Sequence, residues 1–304
     1  MELVKGRKMM KNEQKWLIFS NFSLKIMALL FMTLDHIGFQ ISYYFLDESS
    51  PVVLILRGLG RLAIPLFAFL IYEGVTHTKS FKKYALRLGI MALFISGVLA
   101  FLMYVPNPYM SGGLIESGNI FIDLLLGALG VYLLKNKNVK IKLLSLLPAI
   151  YSIVSFAVTT YQINNGVIID WFPFYLRTQY GWLAVLMIMG FYLAKILKDL
   201  YLRYTAKNMG VDVEVLILSP YDVWATNLFN MMTVVFFAIG AYVLTWFFET
   251  PFLPYQWLSL FSGALLLCYN GKRGYNKKWF EYGAYIYYPL HLAVLAVIFY
   301  LLTL

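Results

Sequence analysis

Residues 24–45 read LKIMALLFMTLDHIGFQISYYF, and this stretch decides the class of fold. A membrane-crossing helix needs about 20 predominantly apolar residues, and this run supplies them. Yet Asp35 and His36 stand side by side near its middle. Counting about 1.5 Å per residue from Lys25 places them roughly 16 Å in, close to a bilayer midplane. Ionisable groups at that depth are costly, so they face a bundle interior and mark functional sites. The alternative is a buried polar contact that only fixes helix packing.

Working outward, composition agrees with a membrane protein. The 304 residues are 61% hydrophobic, 18% aromatic and only 13% charged, and the apolar residues fall in runs of spanning length. A soluble globule is excluded. The net charge of +10 raises nucleic acid as a partner, but the basic residues sit in clumps between apolar runs. Such juxtamembrane clumps orient helices against a lipid bilayer, and no nucleic-acid partner is expected. A single cysteine, Cys268, rules out an intrachain disulfide and a Cys-rich metal site. The first apolar run is too long and too polar at its centre for a cleaved signal, so an uncleaved first span is expected.

The expected fold is an all-α polytopic membrane protein of about nine transmembrane helices. They cover residues 24–45, 52–71, 84–105, 119–134, 141–161, 180–196, 224–248, 254–269 and 282–302. A basic segment, residues 1–23, precedes one transmembrane domain, residues 24–304. With the N-terminus cytoplasmic and the C-terminus outside, every Lys and Arg except Arg57, Arg61 and Arg177 falls on the inner side. That alternation follows the positive-inside rule and points to a multi-pass protein of a cell membrane, the bacterial plasma membrane. Arg177 is expected in a wet, aromatic outer loop from Gln162 to Gln179. The segment VDVEVLILSP, residues 211–220, is too short to span and reads as interfacial.

The second expected span carries Arg57 and Arg61, four residues apart and therefore on one helical face. Arginine does not shed its proton, so at this depth it needs an anionic partner or water. Asp35 is one candidate partner and Asp123 another. A structural Asp–Arg pair and a catalytic Arg61 are both compatible with the pattern. At the inner end of the span Glu73 and His77 share a face by i,i+4 spacing, near Lys79, Lys82 and Lys83, as a cytosolic polar vestibule would require. Three histidines with no HExxH-type pairing give no metal site, and none is expected.

The last expected span supplies His291 within YIYYPLHLAVL, just after the helix-loosening Pro289. His36, Arg61 and His291, from three helices, are thus expected at one depth, as a polar chamber. Before that span, Tyr269-Asn270-Gly271-Lys272-Arg273-Gly274 forms a basic, glycine-bracketed turn whose backbone N–H groups and cations suit a phosphate. Asn119 opens the fourth span, where a helix cap is the simpler role.

Taken in order, LKIMALLFMTLDHIG, RGLGRLAIPLFAFLIYEGVTHTKSFKKYALRL, GNIFIDLLLGAL, YGWLAVL, YNGKRG and YYPLHL resemble the TraX family. The namesake of that family acetylates the N-terminus of conjugative F pilin, and the family is similar to acyltransferase-3 and heparan glucosaminide acetyltransferase proteins. The resemblance implies acyl transfer from cytosolic acetyl-CoA, the acyl donor substrate, to an amine or hydroxyl of an acceptor peptide or glycan. In that chemistry His36 is the expected base, with Arg61 or His291 stabilising the developing negative charge and Asp35 pairing Arg61. Donor-side residues are Arg57, Glu73, His77, Lys82, Lys83, Arg87, Asn119, Asn270, Lys272 and Arg273. The competing class is a transporter or flippase using Asp, His and Arg as a relay, and a third is an assembly protein whose polar groups only join helices.

Overall fold

The computed structural model describes residues 16–104, 118–247 and 255–304. The basic positions Lys5, Arg7, Lys8, Lys11 and Lys15 lie outside the described residues, as do the expected span ends at residues 105, 248 and 254. In chain order the α-helices are α1 (Asn21–Tyr44), α2 (Pro51–Gly60), α3 (Ala63–His77), α4 (Phe81–Tyr104) and α5 (Ile120–Leu134). Then follow α6 (Val139–Leu143), α7 (Leu146–Asn165), α8 (Trp182–Met209), α9 (Val213–Ile217), α10 (Pro220–Phe247), α11 (Ser262–Leu267) and α12 (Lys278–Leu301). Short 3₁₀ turns, Phe174–Leu176 and Gln256–Phe261, precede α8 and α11. No strand occurs among the described residues.

Six helical stretches are long and apolar enough to cross a membrane: α1, α2 with α3, α4, α6 with α7, α10 and α12. Outward-facing Leu86, Ile90, Leu93 and Phe94 on α4, and Ile286, Leu290, Val294 and Val297 on α12, are exposed. Stripes of exposed apolar side chains on long helices are what a lipid solvent requires. The chain is a multi-pass membrane protein. Three expected spans are not among the six. α5, with 15 residues, and the stretch Gln256–Leu267 are short. α8 has 28 residues, but from Lys195 onward it carries Lys195, Lys198, Asp199, Arg203 and Lys207.

Helices α3, α5 and α8 form the centre. Ala128, Val131, Leu183, Met187, Ile188 and Phe191 are fully buried between them. Gly127 lets α5 approach α8 closely, since a Cβ there would collide with the Ile188 side chain. The expected interfacial segment contains α9, which buries Leu216 against Leu202, Ala206 and Ala225 while Val215 and Ile217 stay exposed.

Two departures from the sequence reading shape the site. The second expected span is broken at Arg61–Leu62, where N–H groups bond carbonyls three residues back (Arg61 to Gly58, 3.2 Å; Leu62 to Leu59, 3.1 Å). Pro65 sits in the first turn of α3, where its missing N–H costs nothing. The expected aromatic loop exposes Ile168 and Trp171, but Arg177 within it is buried. It is 2% exposed, its Nε donating to the Phe172 carbonyl at 2.7 Å and Nη2 to Gln162 Oε1 at 3.0 Å.

Candidate functional site

The site is assembled on α1. Ser20 caps this helix, its hydroxyl accepting from the Ser23 N–H at 3.2 Å. The chain just before it is laced to the basic turn: Phe19 N–H to Cys268 O at 3.0 Å, Asn270 N–H to Phe19 O at 2.8 Å, and Asn21 N–H to Lys272 O at 2.8 Å. The glycine-bracketed turn is therefore held against the N-terminal end of α1. Gly271 and Gly274 take the positive φ values, +69° and +68°, that only glycine adopts freely.

At the middle of α1 the adjacent Asp35 and His36 project about 100° apart and meet different partners. Asp35 receives both arginines: Arg57 Nη1 lies 3.2 Å from Oδ2, and Arg61 Nη2 pairs with Oδ1. Arg61 also donates from Nε to the Arg57 carbonyl (3.1 Å) and from Nη1 to Gln256 Oε1 (3.4 Å). Glycines make this approach possible. A Cβ on Gly60 would run into the Asp35 side chain, and one on Gly38 would lie 2.9 Å from Leu56 Cβ. Asp123, the other candidate partner, is occupied elsewhere. Its carboxylate accepts from the backbone N–H groups of Gln179 (2.6 Å) and Tyr180 (3.1 Å), just ahead of α8.

His36 turns to α12, where its Nδ1 lies 2.7 Å from His291 Nε2. The rings stack at 27° with centroids 4.9 Å apart. His291 Nδ1 lies 2.7 Å from the Tyr287 carbonyl, which can only accept, so Nδ1 carries the proton. In the neutral pair His291 Nε2 then accepts and His36 Nδ1 donates. This leaves the lone pair of His36 Nε2 unused within the pair. Tyr287 supports His291 further. Its ring lies parallel to the imidazole at 8° and 4.9 Å, and its hydroxyl meets Thr33 Oγ1 at 2.6 Å. Since Thr33 already donates to the Leu29 carbonyl (2.8 Å), the Tyr287 hydroxyl is the donor in that bond.

A cavity of about 500 Å³ runs along α1. Asp35, His36, Gln179, Tyr180 and Tyr288 line it at the level of the histidine, and Lys25, Glu73, His77, Arg87, Arg273 and Glu281 line it at the other end. Lys25 stands over the Phe280 ring (5.8 Å), and Arg87 lies 6.0 Å from the Tyr84 and Tyr282 rings. Glu73 is held by the Tyr269 hydroxyl at 3.1 Å, while His77 is exposed.

The expected residues therefore separate into groups. His36, Asp35, Glu73, His77, Arg87 and Arg273 line the cavity; His291, Arg57 and Arg61 contact its deep wall from behind. Lys82 and Lys83 are exposed away from the cavity lining, and so is Lys272. Asn270 shapes the turn, accepting from the Lys272 N–H at 2.9 Å. Asn119 is fully buried and committed to the protein, capping α5 through Phe121 N–H (2.9 Å) and donating to Ala92 O (2.8 Å) and Ser96 Oγ (2.9 Å). Lys25, Tyr180, Gln179 and Tyr288 are lining residues that the sequence reading did not place there. Lys25 had a signal in its position one helical stretch from His36, and Tyr288 in its place three residues before His291. Among the described residues no three metal-binding side chains come together.

Against known proteins, the family described as TraX protein matches residues 20–299, nearly the whole chain. The chain belongs to the TraX family. The match runs from the Ser20 cap past His291, so both histidines and both arginines fall within the family domain. The chain is also similar to a probable fimbrial assembly protein FimC, serogroup H1, of Dichelobacter nodosus, 39% identical over 87 residues. That match covers 27% of this chain and 34% of the relative, so the chain spans about a third of the curated relative it matches. No solved structure matches.

Proposed function

We propose that this TraX-family protein is an integral membrane acyltransferase. It moves an acetyl group from cytosolic acetyl-CoA to an amine or hydroxyl of a peptide or glycan acceptor at or across a cell membrane. The observation that carries this reading is the cavity: three cations at one end and, on its wall near the other, a histidine whose unused nitrogen is unprotonated.

The fit is chemical. Coenzyme A joins a phosphate-rich nucleotide to a thin, uncharged arm ending in the thioester. Lys25, Arg87 and Arg273 suit the phosphates, and Glu73 and His77 add polar contacts beside them. From Lys25 to His36 is about 16 Å along the helix at about 1.5 Å per residue, a length such an arm can bridge. His36 Nε2 then takes the proton of the attacking acceptor. The acceptor's lone pair forms the new bond to the carbonyl carbon, the C–S bond breaks, and the thiolate leaves with the proton that His36 returns. His291 does not line the cavity; it is a positioning residue that fixes the tautomer of His36. The Arg57–Asp35–Arg61 cluster backs the cavity floor and carries one net positive charge.

The fuller topology belongs to the same reading: nine crossings in the bacterial plasma membrane, the N-terminus cytoplasmic and the C-terminus outside, with the donor mouth cytosolic. The likeness to a fimbrial assembly protein supports a peptide acceptor of the pilus-subunit kind, and kinship to the acyltransferase-3 proteins fits the chemistry. The test is to incubate purified protein with acetyl-CoA and candidate amine acceptors. Thiol release coupled to acetyl capture supports the reading; no acetyl-CoA-dependent reaction with any acceptor, despite a folded protein, contradicts it.

A further inference from the structure

Tyr288 occupies the deep end of the cavity, and no helix-packing requirement explains its hydroxyl. Its ring is set by edge contacts: 6.2 Å and 74° to His36, 5.8 Å and 70° to His291, and 5.4 Å and 88° to Phe121. Those contacts use the ring alone, and phenylalanine would supply them equally well. The nearby hydroxyls of Tyr287 and Thr33 are spent on the protein, Tyr287 on Thr33 and Thr33 on Leu29. The Tyr288 hydroxyl has no hydrogen-bond partner among the described residues, although the residue lines the cavity beside the catalytic histidine. A phenol placed in a mostly apolar interior without a partner is costly, which is why buried tyrosines usually find one.

The arginines do not fill this role. Arg57 and Arg61 are turned to the far side of Asp35, and neither lines the cavity. His291 Nε2 is occupied by His36, and its Nδ1 by the Tyr287 carbonyl. Gln179, Tyr180 and Tyr288 line the cavity at that level, and Tyr288 is the one whose ring packs against His36, so its hydroxyl is the donor placed beside a thioester carbonyl brought to that histidine.

We infer that the Tyr288 hydroxyl is a catalytic hydrogen-bond donor, an oxyanion site for the thioester carbonyl; this rests on the acyltransferase reading above. As the acceptor attacks, the carbonyl π electrons move onto oxygen, which the Tyr288 O–H stabilises without giving up its proton. His36 Nε2 meanwhile holds the proton lost by the acceptor. When the intermediate collapses, the electron pair returns from oxygen to carbon, the thiolate departs, and the proton passes from His36 to sulfur. Donors aimed at developing charge in a water-poor site act in this way.

The experiment compares wild type with Tyr288→Phe, which keeps every ring contact. Acetyl-CoA carrying carbon-13 at the thioester carbonyl is bound to each protein, and the carbonyl stretch is read by difference infrared spectroscopy. The wild type should show a band moved to lower frequency than in free acetyl-CoA, and Tyr288→Phe should bind equally well but lose that displacement. In transfer to a short peptide with a free N-terminal amine, kcat should fall about 10²–10³-fold with KM for acetyl-CoA nearly unchanged. Equal carbonyl bands in the two proteins, or transfer by Tyr288→Phe within a few-fold of wild type, would overturn the assignment while leaving the acyltransferase reading intact. Failure of the folded wild type to bind acetyl-CoA would instead remove that reading, and this inference with it.

Discussion

His36 and His291, on α1 and α12, share a hydrogen bond of 2.7 Å from Nδ1 to Nε2. Two imidazoles bound in this way have complementary tautomers, and the Tyr287 carbonyl decides which is which. The consequence is a division of labour between two residues that look alike in the sequence. One faces the cavity with a free lone pair; the other holds it in place.

That division gives the first prediction. His291→Ala should lower kcat by about ten- to a hundredfold, less than the 10²–10⁴-fold typical of losing a general base itself. KM for acetyl-CoA should hardly move, because His291 is outside the cavity. The pH profile should change as well, since His36 then loses the acceptor that fixes its proton on Nδ1. A His291→Ala protein with an unaltered pH profile would make the pair a packing contact only.

Asp35 stands between two arginines in an environment where neither can shed its charge. Asp35→Asn should destabilise the detergent-solubilised protein by about 3–5 kcal/mol, as breaking a buried pair does. Adding Arg61→Met should recover part of the loss, because it removes a charge left without compensation. Thermal unfolding of the single and double variants checks this, and additive losses would sink the pairing argument.

The cation end of the cavity makes a third prediction. Arg87→Ala combined with Arg273→Ala should weaken acetyl-CoA binding by tenfold or more, since each charge-assisted hydrogen bond contributes about 1.5–3 kcal/mol. Lys82→Ala combined with Lys83→Ala should leave affinity within about twofold, those side chains being exposed away from the cavity. Equal effects of the two pairs would mean that general basicity, not the cavity mouth, attracts the donor.

Much of this arrangement was legible in the sequence because lipid imposes strict rules. Apolar runs have to be helices, and a polar group within one has to turn inward, which is how Asp35, His36, Arg61 and His291 stood out. What remained hidden depends on contacts between distant segments. Gly58 and Gly60 weaken the helix locally, but the packing of Gly60 on Asp35 is a contact between distant segments that local propensity does not encode. Asp123 reads as an arginine partner until the chain brings the Gln179 and Tyr180 N–H groups to it. Lys25 looks like an ordinary orienting charge, and only the cavity separates Arg87 from Lys82 and Lys83 among the expected donor-side cations. Arg177 was hidden because its partners are mainly loop carbonyls, which any sequence supplies.

Topology offers a fourth prediction. A reporter fused after Leu304 should be extracytoplasmic and one inserted between Lys135 and Lys142 cytoplasmic, as the charge distribution requires. Both on one side would rule out nine crossings and require a different route for the donor.

The central claim is that His36 is the base, and steady-state acetyl transfer by His36→Gln tests it most directly. Gln keeps a hydrogen bond to His291 within reach but cannot take up and return a proton. Purified wild type and His36→Gln, matched for thermal stability and acetyl-CoA affinity, are assayed for acetyl capture by the same acceptor. The expected result is unchanged donor binding with transfer lowered by about 10²–10⁴-fold. Transfer within a few-fold of wild type would contradict the claim and leave His36 a positioning group.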